Sequence, residues 1–465
     1  MMTPEEYRES LRDGRRVFGH GRQITDVTTD HHTKGMVDWV AAGYEKYYEP
    51  APDAYGPYFF IPRSADELRE AEERQKVWDF PTISTHSGLL MLLTASSRMR
   101  AQLPDYAERV LAFFEEAKQR DIRCVLCITD AKGDRSKSPI EQDDPDLYLR
   151  IVDRRPDGIV ISGAKLHISS AAVAHELIVM PTKRMKSTEA DYAVACAVPM
   201  NAPGVTIVNA NFSTRPDFDP EFYPYSSKHM MTEGFVVFDE VFVPNERVFL
   251  AGEVEHSATF AHSLGLWERL GSLGHYIDIA DTLVGLAQLI SEANGLERIP
   301  HIRDKIGEMI IYATLVRSTY DAAISHSELT PDGYASPNEL YTNAGKYHAA
   351  KDFAVMVRSL HDIAGGSVLT APSIADLNHP ETGKYVAKYM RTKAGVDAEY
   401  RMRLFHAIRD YTADAYGGWQ LVTMLQAGGG LYAQQLVAAK HYDMARAKQI
   451  ALATAGIDPG PEGTH

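Results

Sequence analysis

Two side chains that could exchange protons, Glu268 and His275, lie seven residues apart in the segment LWERLGSLGHYIDIAD. This spacing is about two helical turns, so the two side chains share a face if the segment is one continuous helix. A carboxylate and an imidazole on one inward face can transfer a proton to or from a bound molecule. They can equally form a structural pair, and Gly271 and Gly274 could interrupt the helix between them.

The run CVLCITDAKGDRSKSPIEQ, residues 124–142, is a second stretch that could bind a ligand. It begins as a β-rich segment and turns into a polar loop with a glycine, charged side chains and hydroxyls. A strand that ends in such a loop presents N–H groups, hydroxyl donors and fixed charge at one point. The pattern alone fits a ligand loop and a solvated connection between strands equally well.

Cysteines and histidines that could bind a metal have ordinary explanations. Cys124 and Cys127 form a CxxC pattern, but residues i and i+3 of a strand point to opposite faces, so we expect plain strand residues. His31 and His32 are adjacent in a polar loop without ligand spacing, so we expect solvated side chains and no metal site. His86, in the small-residue segment PTISTHSG that opens a helix, is a candidate functional histidine.

Two glycine-rich segments, AGGS at 364–367 and AGGG at 427–430, could approach a ligand through their backbones. Consecutive glycines at helix ends permit such close contact. Neither segment follows a strand or carries the Lys-Ser/Thr partner of a nucleotide loop, so the Walker and dinucleotide fingerprints do not apply. A plain connection between helices explains both segments equally well.

Length, charge and cysteine content exclude several classes of protein. The chain has 465 residues and a net charge of −15, and no Lys/Arg-dense run with interleaved aromatics, which disfavours nucleic-acid binding. The N-terminus lacks the apolar region of a signal peptide, and no apolar run is long enough for a transmembrane helix. Three cysteines do not make a disulfide framework, so we expect a cytoplasmic protein.

The elements that must position these residues change type twice along the chain. Helical periodicity marks residues 1–122, with helices expected at 3–18, 35–48, 64–77 and 86–119. Short β-branched segments separated by turn residues mark a β unit at 123–255. Helical periodicity returns at 256–465, with helices expected at 276–294, 301–328, 338–364, 378–410 and 431–454. The sequence therefore predicts an α+β protein, mostly α, with a ligand where the layers meet.

The run CITDAKGDRSKSPIEQDDPDLYLRIVDRRPDGIVISGAKLHISS, followed by HELIVMPT and EGFVVFDEVFVPNERVFL, resembles the 4-hydroxyphenylacetate 3-hydroxylase family of flavoproteins. That family includes two-component phenol hydroxylases and the iron–sulfur flavoprotein 4-hydroxybutyryl-CoA dehydratase. The resemblance spans nearly the whole chain. It implies an acyl-CoA-dehydrogenase-like architecture, with an N-terminal helical domain, a middle β-barrel or sandwich and a C-terminal helical bundle. It also implies a homotetramer that holds FAD between the β domain and the helices.

The same resemblance implies which residues contact the flavin. Those of the same subunit are Thr129, Ile140, Glu141, Gln142, Ser169, Leu425, Gln426, Ala427 and Gly428. Gly365 and Gly366 would approach the cofactor from a neighbouring subunit. The acid–base side chains that would lie near the flavin are His86, His167, Glu233, Glu268 and His275.

The chain also departs from both branches of the family. The iron–sulfur ligands of the dehydratase, three cysteines and a histidine, correspond to positions near Trp78, Thr82, Glu268 and His275, and none of these is a cysteine. No [4Fe–4S] cluster of that type is therefore expected. The Arg, Tyr and His that hold a phenol in the hydroxylases correspond to positions near Ser84, Gly88 and Leu126, so that set is absent too.

We therefore expect an FAD-dependent monooxygenase that hydroxylates an aromatic or enolisable small molecule, which can be a thioester. Because no NAD(P)H fingerprint is visible, a separate flavin reductase would supply the reduced flavin. His275, Glu268 or His86 would activate the acceptor. The alternative is a cluster-free isomerase, dehydratase or desaturase of acyl-CoA or carrier thioesters, in which Glu233 abstracts the α-proton. A third possibility is a non-catalytic flavin-binding protein.

Overall fold

The computed structural model describes residues 1–211, 218–229 and 231–457, and its elements follow the order α, β, α. The N-terminal part contains five helices and two very short strands. They are α1 (Pro4–Ser10), β1 (Val17–Gly19), β2 (Arg22–Ile24), α2 (Lys34–Tyr47), α3 (Ala65–Gln75), α4 (Phe80–Met99) and α5 (Pro104–Arg120).

Local sequence explains where these helices begin. Thr3 forms a capping box with Glu6, and the side chain of Asp79 accepts a hydrogen bond from the backbone N–H of Thr82 at the start of α4. The single helix predicted at 86–119 is two helices in the structure. Pro104 is the first residue of the second, where its fixed φ and missing N–H are tolerated.

The β unit consists of two sheets that face each other. Its strands are β3 (Cys124–Cys127), β4 (Arg150–Arg155), β5 (Gly158–Ser169), β6 (Glu176–Val179), β7 (Val194–Pro199), β8 (Val205–Asn211), β9 (Thr232–Pro244) and β10 (Val248–Ala251). The six-stranded sheet has the order β2-β1-β8-β9-β5-β4, and the four-stranded sheet has the order β10-β7-β6-β3. The N-terminal segment thus adds two strands to the β unit, which the sequence analysis did not predict.

The four-stranded sheet lies between two hydrophobic cores. One core fills the space between the sheets, and the other extends from the opposite face of this sheet into the helices. Cys127 belongs to the first core and Cys124 to the second, as the spacing in a strand predicts. Burial raises the pKa of both thiols, so these cysteines are packing residues.

The C-terminal part is a helical bundle built on three long helices. Its elements are α6 (Ser257–Asn294), α7 (Pro300–Ser325), β11 (Glu328–Leu329), β12 (Ala335–Ser336), α8 (Glu339–Ala364), α9 (Ser367–Thr370), α10 (Ile374–Asn378), α11 (Gly383–Met390), α12 (Ala398–Thr412), α13 (Ala415–Gln426), α14 (Leu431–His441) and α15 (Met444–Thr454). The helix predicted from residue 276 begins at Ser257, and α13 was not predicted.

The observed architecture confirms the predicted α+β fold class, with helical parts on either side of a β unit. The middle unit is a sandwich of two sheets, and the described strands do not close into a barrel. None of the described helices is long and apolar enough to cross a bilayer.

Candidate active site

A buried ion pair fixes the point where the polar loop leaves β3. The Lys165 Nζ atom of β5 lies 2.7 Å from the Asp130 Oδ1 atom, and the two residues are 1% and 2% exposed. Lys165 also donates to the backbone oxygens of Ile128 and Met180, each at 2.9 Å. Asp130 accepts the backbone N–H of Leu149 at 2.9 Å. The ammonium group of Lys165 therefore connects the start of the loop to both sheets.

Gln142 closes the loop upon itself. Its side-chain Oε1 accepts the N–H of Asp134 at 3.0 Å, and its Nε2 donates to the carbonyl of the same residue at 2.8 Å. Gly133 has a φ of +49° and packs against the Gln142 amide, where a Cβ would collide. Ile140 and Glu141 lie on the outside, with Ile140 53% exposed. These two residues are therefore available to a ligand, while the Gln142 side chain stabilises the loop.

A bulge in β5 lies beside the loop entrance. The carbonyl of Thr129 accepts the N–H of Leu166 at 2.7 Å, and the pairing with β9 shifts register between Lys165 and Ile168. The bulge gives His167 a φ of +61° and turns its side chain to the solvent-exposed side. Thr129 and His167 thus lie close together at one end of the β unit.

Ser169 and Glu233 connect this end of the β unit to the C-terminal helices. They are paired on β5 and β9, and the Ser169 hydroxyl donates to the Glu233 Oε2 atom at 2.7 Å. Burial raises the pKa of Glu233, and hydrogen bonds from Ser169 and from Trp419 of α13 oppose the shift. Glu233 is therefore a carboxyl group with a raised pKa that lies between the sheet and α13.

The predicted acid–base pair lies on one face of α6. The helix runs through Gly271 and Gly274 without a break, so Glu268 and His275 are two turns apart on the same side. Burial raises the pKa of Glu268 to about 7, against the charge of Lys346. The protein around His275 removes water from part of its surroundings and so lowers its pKa, while the residue keeps an exposed surface. The Glu268 carboxyl group can therefore exchange protons near neutral pH.

The turn between α13 and α14 packs directly on Glu268 and Arg269. Gly428 and Gly429 have φ values of +70° and +89°. A Cβ on Gly428 would lie 3.5 Å from the Glu268 Cβ and 3.1 Å from the Arg269 Cγ. The Arg269 Nε atom donates to the Gly428 carbonyl at 2.8 Å, and its Nη1 atom donates to Asn343 at 2.6 Å. The glycines therefore permit a close approach that brings this turn to the acid–base face.

The carbonyl of Met424 receives two further donors beside this turn. The Tyr276 hydroxyl of α6 donates to it at 2.6 Å, and the Lys346 Nζ atom of α8 donates to it at 2.5 Å. Lys346 is fully buried, and burial lowers its pKa to about 7, with the charge of Arg269 acting in the same direction and that of Glu268 against it. Hydrogen bonds to Met424 and Gly428 thus anchor the two ends of the segment 425–427 to α6 and α8, while Leu425 and Gln426 remain exposed.

His86 lies in the core of the N-terminal helices. It is 1% exposed, its Nδ1 atom is 2.8 Å from the carbonyl oxygen of Tyr58, and its ring is 5.3 Å from that of Trp78. Burial lowers the pKa of His86 to about 4, so the imidazole is neutral. These contacts place His86 in the helical core, and none of them involves the acid–base face of α6.

Gly365 and Gly366 are exposed at the far end of α8, with open space where their side chains would be. Lys346 and Ala364 are separated by about 27 Å at the rise of an α-helix. These glycines are therefore remote from Lys346 in their own chain.

Sequence reasoning missed an aromatic cluster between the segment 218–229 and helices α12 and α13. Tyr225 lies 4.6 Å from Tyr411 and 5.4 Å from Tyr416 between ring centroids, and His229 lies 4.8 Å from Tyr416. Tyr416 in turn lies 5.9 Å from Trp419, which reaches Glu233. The aromatic density of the segment FYPYSSKH was the one signal for this cluster.

Comparison with known proteins identifies the class. The N-terminal model of 4-hydroxyphenylacetate 3-hydroxylase matches residues 3–250, and the C-terminal model matches residues 257–456. Together these matches cover nearly the whole chain, so the protein belongs to the 4-hydroxyphenylacetate 3-hydroxylase family.

Individual relatives come from both branches of that family. The chain is 28% identical to the 4-hydroxybutyryl-CoA dehydratase/vinylacetyl-CoA-Δ-isomerase of Clostridium aminobutyricum, over 98% of this chain and 100% of that one. It is 27% identical to the oxygenase component of 4-hydroxyphenylacetate 3-monooxygenase from a Geobacillus strain, over 90% and 89% of the chains. The structure of an oxygen-tolerant 4-hydroxybutyryl-CoA dehydratase from N. maritimus superposes with a TM-score of 0.86 at 27% identity, covering 100% of this chain and 96% of that one.

Replacing Lys165 should destabilise the protein strongly. In Lys165→Met the carboxylate of Asp130 stays buried without its partner, which costs about 3–5 kcal/mol of unfolding free energy. Urea unfolding followed by circular dichroism measures this loss. Lys448→Met, at an exposed position of α15, is the matched control and should unfold like the parent protein. Equal stability of the two variants would contradict the assigned role of the ion pair.

Proposed function

We propose that the protein is the oxygenase component of a two-component, FADH2-dependent monooxygenase. Its substrate is an aromatic or enolisable small molecule, free or bound as a thioester. Glu268 supports this proposal in a chain of this family, because burial raises the pKa of its carboxyl group to about 7 and its Cβ atom packs against the glycine turn at Gly428. A base with such a pKa suits the activation of a phenol or an enol at neutral pH.

The residues that the β unit and the C-terminal helices contribute to the site are of types that can bind a flavin. The β unit offers the hydroxyls of Thr129 and Ser169 and the exposed Ile140 and Glu141, and Gln142 keeps their loop in shape. The helices offer the turn formed by Leu425, Gln426, Ala427 and Gly428, which packs closely on α6 at Gly428. Bound there, reduced flavin supplies the electrons with which molecular oxygen is activated and transferred to the acceptor.

The side chains of this protein would then position and deprotonate the acceptor. Glu268 is the base that we favour, because burial raises its pKa to about 7 and its Cβ atom packs against the turn at Gly428. His275 lies on the same face about 10 Å from Glu268 at the rise of an α-helix, and it is the second candidate base. Glu233 and His167 lie at the β side of the site, where Glu233 can donate a hydrogen bond in its neutral form. His86 supports the fold of α4 from the core.

Several relatives are named as FADH2-dependent monooxygenases or as oxygenase components, for example the FADH(2)-dependent monooxygenase TftD of Burkholderia cepacia, 26% identical over 91% of this chain. An oxygenase component works with a separate reductase that delivers reduced flavin, and we propose such a partner in the cytoplasm.

We also propose that four copies assemble. Large apolar side chains are exposed along α7, α13 and α14, and Gly365 and Gly366 face outward at the end of α8. The exposed apolar residues are Ile310, Ile311, Leu315, Val422, Tyr432 and Leu436. An assembly that buries these faces would bring the glycines of one chain to the flavin of another.

The second candidate is a cluster-free isomerase, dehydratase or desaturase of acyl-CoA or carrier thioesters. The observation that favours it is the full-length match to the dehydratase/isomerase of Clostridium aminobutyricum. Glu233 would then abstract the α-proton of the thioester. The three cysteines of this chain, Cys124, Cys127 and Cys196, are buried strand residues. They therefore offer no thiolate ligands at the helical side of the site.

A flavin and oxygen assay separates these functions. The purified protein should bind reduced FAD and, when oxygen is added, should hydroxylate one member of a panel of phenols and aromatic thioesters. Product analysis by mass spectrometry with 18O2 detects the transferred oxygen atom. Isomerisation or dehydration of an acyl-CoA in the absence of oxygen would favour the second candidate, and failure to bind FAD in either redox state would exclude both.

Glu268→Gln should lower kcat/KM about 100-fold or more, because general acid–base groups contribute on that scale. The parent activity should rise with pH through about 7, since burial raises the pKa of Glu268 to that value and the carboxylate forms above it. This rise should be absent in Glu268→Gln and unchanged in Glu292→Gln, an exposed position on the same helix. An unchanged pH profile in Glu268→Gln would assign the base to another residue.

A further inference from the structure

Three histidines and an aspartate from two separate segments meet on the surface beside the six-stranded sheet. His20 lies in the turn between β1 and β2, whereas Asp30, His31 and His32 precede α2. The ring of His32 is stacked on that of His20 at 3.9 Å between centroids and lies 3.8 Å from that of His31. The possible ligand atoms of Asp30, His31 and His32 all lie within 4.8 Å of one another. We call these four residues the histidine cluster.

The backbone around the histidine cluster already orients its carboxylate. The Asp30 Oδ1 atom accepts the N–H of His32 at 3.0 Å and lies 3.8 Å from the His31 Nδ1 atom. Its other oxygen, Oδ2, is paired with Arg22 at 2.6 Å. The guanidinium group therefore occupies one oxygen and fixes the carboxylate, while the other oxygen faces the imidazoles.

The histidine cluster contains more than two histidines that are adjacent in the sequence, because His20 comes from a separate turn. His20 has a φ of +50°, a left-handed conformation that is uncommon for residues other than glycine and in which histidine, asparagine and aspartate are enriched. At this turn it presents its ring to His32 across a gap of eleven residues in the sequence. The sequence predicts solvated side chains at His31 and His32 from their spacing alone. It gives no sign that a third imidazole lies beside them.

We propose that His20, Asp30, His31 and His32 bind one divalent transition-metal ion of the zinc class. Three imidazole nitrogens and one carboxylate oxygen form a four-coordinate ligand set that suits zinc, whereas calcium and magnesium prefer sets made of oxygen. Side-chain rotations at the exposed His20 and His31 would bring the nitrogens from their present separation to a common ion. The ion would tie the hairpin of β1 and β2 to the segment before α2. The site is independent of the proposed flavin chemistry.

Calorimetric titration of the full-length protein with Zn²⁺ tests this site. We expect one ion per chain, and an affinity that falls about tenfold or more in His20→Asn and in His32→Ala, since even residues outside the ligand set affect metal affinity on that scale. Asparagine is chosen at position 20 because it tolerates a positive φ. His441→Ala, at an exposed position in the last turn of α14, is the control and should bind Zn²⁺ like the parent.

Thermal unfolding provides a second readout. Because a ligand that binds the folded state stabilises it, Zn²⁺ should raise the midpoint of the parent protein but not that of the double variant His20→Asn/His32→Ala. Without metal, the parent and the double variant should have similar midpoints, which shows that the variant is folded. The same Zn²⁺ affinity in the parent and in His20→Asn would overturn the proposal, as would the absence of Zn²⁺ binding by the parent.

Discussion

The buried ion pair between Asp130 and Lys165 is the constraint on which the candidate site depends. Lys165 belongs to the six-stranded sheet, while the carbonyls of Ile128 and Met180 that it binds follow β3 and β6 of the four-stranded sheet. One ammonium group thus joins the two sheets at the end where Thr129, His167 and Ser169 are located. An unpaired charge at this depth would cost several kcal/mol, so the loop entrance has one favourable geometry.

Helix α6 is the corresponding constraint on the other side of the site. Its unbroken course aligns Glu268 with His275, and Arg269 and Tyr276 of the same helix bind the backbone on either side of the segment 425–427. Acid–base groups and the candidate flavin turn are therefore positioned by one element. Because of this arrangement, Glu268, whose pKa is raised to about 7, and the close-packed Gly428 are neighbours at α6.

Part of this arrangement could be predicted from the sequence. The spacing of Glu268 and His275 predicts a shared face, and the i, i+3 spacing of Cys124 and Cys127 predicts opposite faces. The burial of Lys165 could not be predicted, because a lysine in GAKLHIS has the pattern of an exposed strand residue and its inward direction depends on tertiary contacts. β1 and β2 contain three residues each, which is too short for a periodic signal. The contact of His20 with His32 depends on a turn whose partner lies elsewhere in the chain.

We propose that flavin binds between the loop that follows β3 and the turn that precedes α14. Hydrogen–deuterium exchange of the full-length protein with and without FAD tests it directly. FAD should slow exchange in residues 129–142 and 425–430, with smaller changes in the remaining β unit. Protection confined to other segments, or the same exchange with and without saturating FAD, would show that flavin does not bind between these two segments.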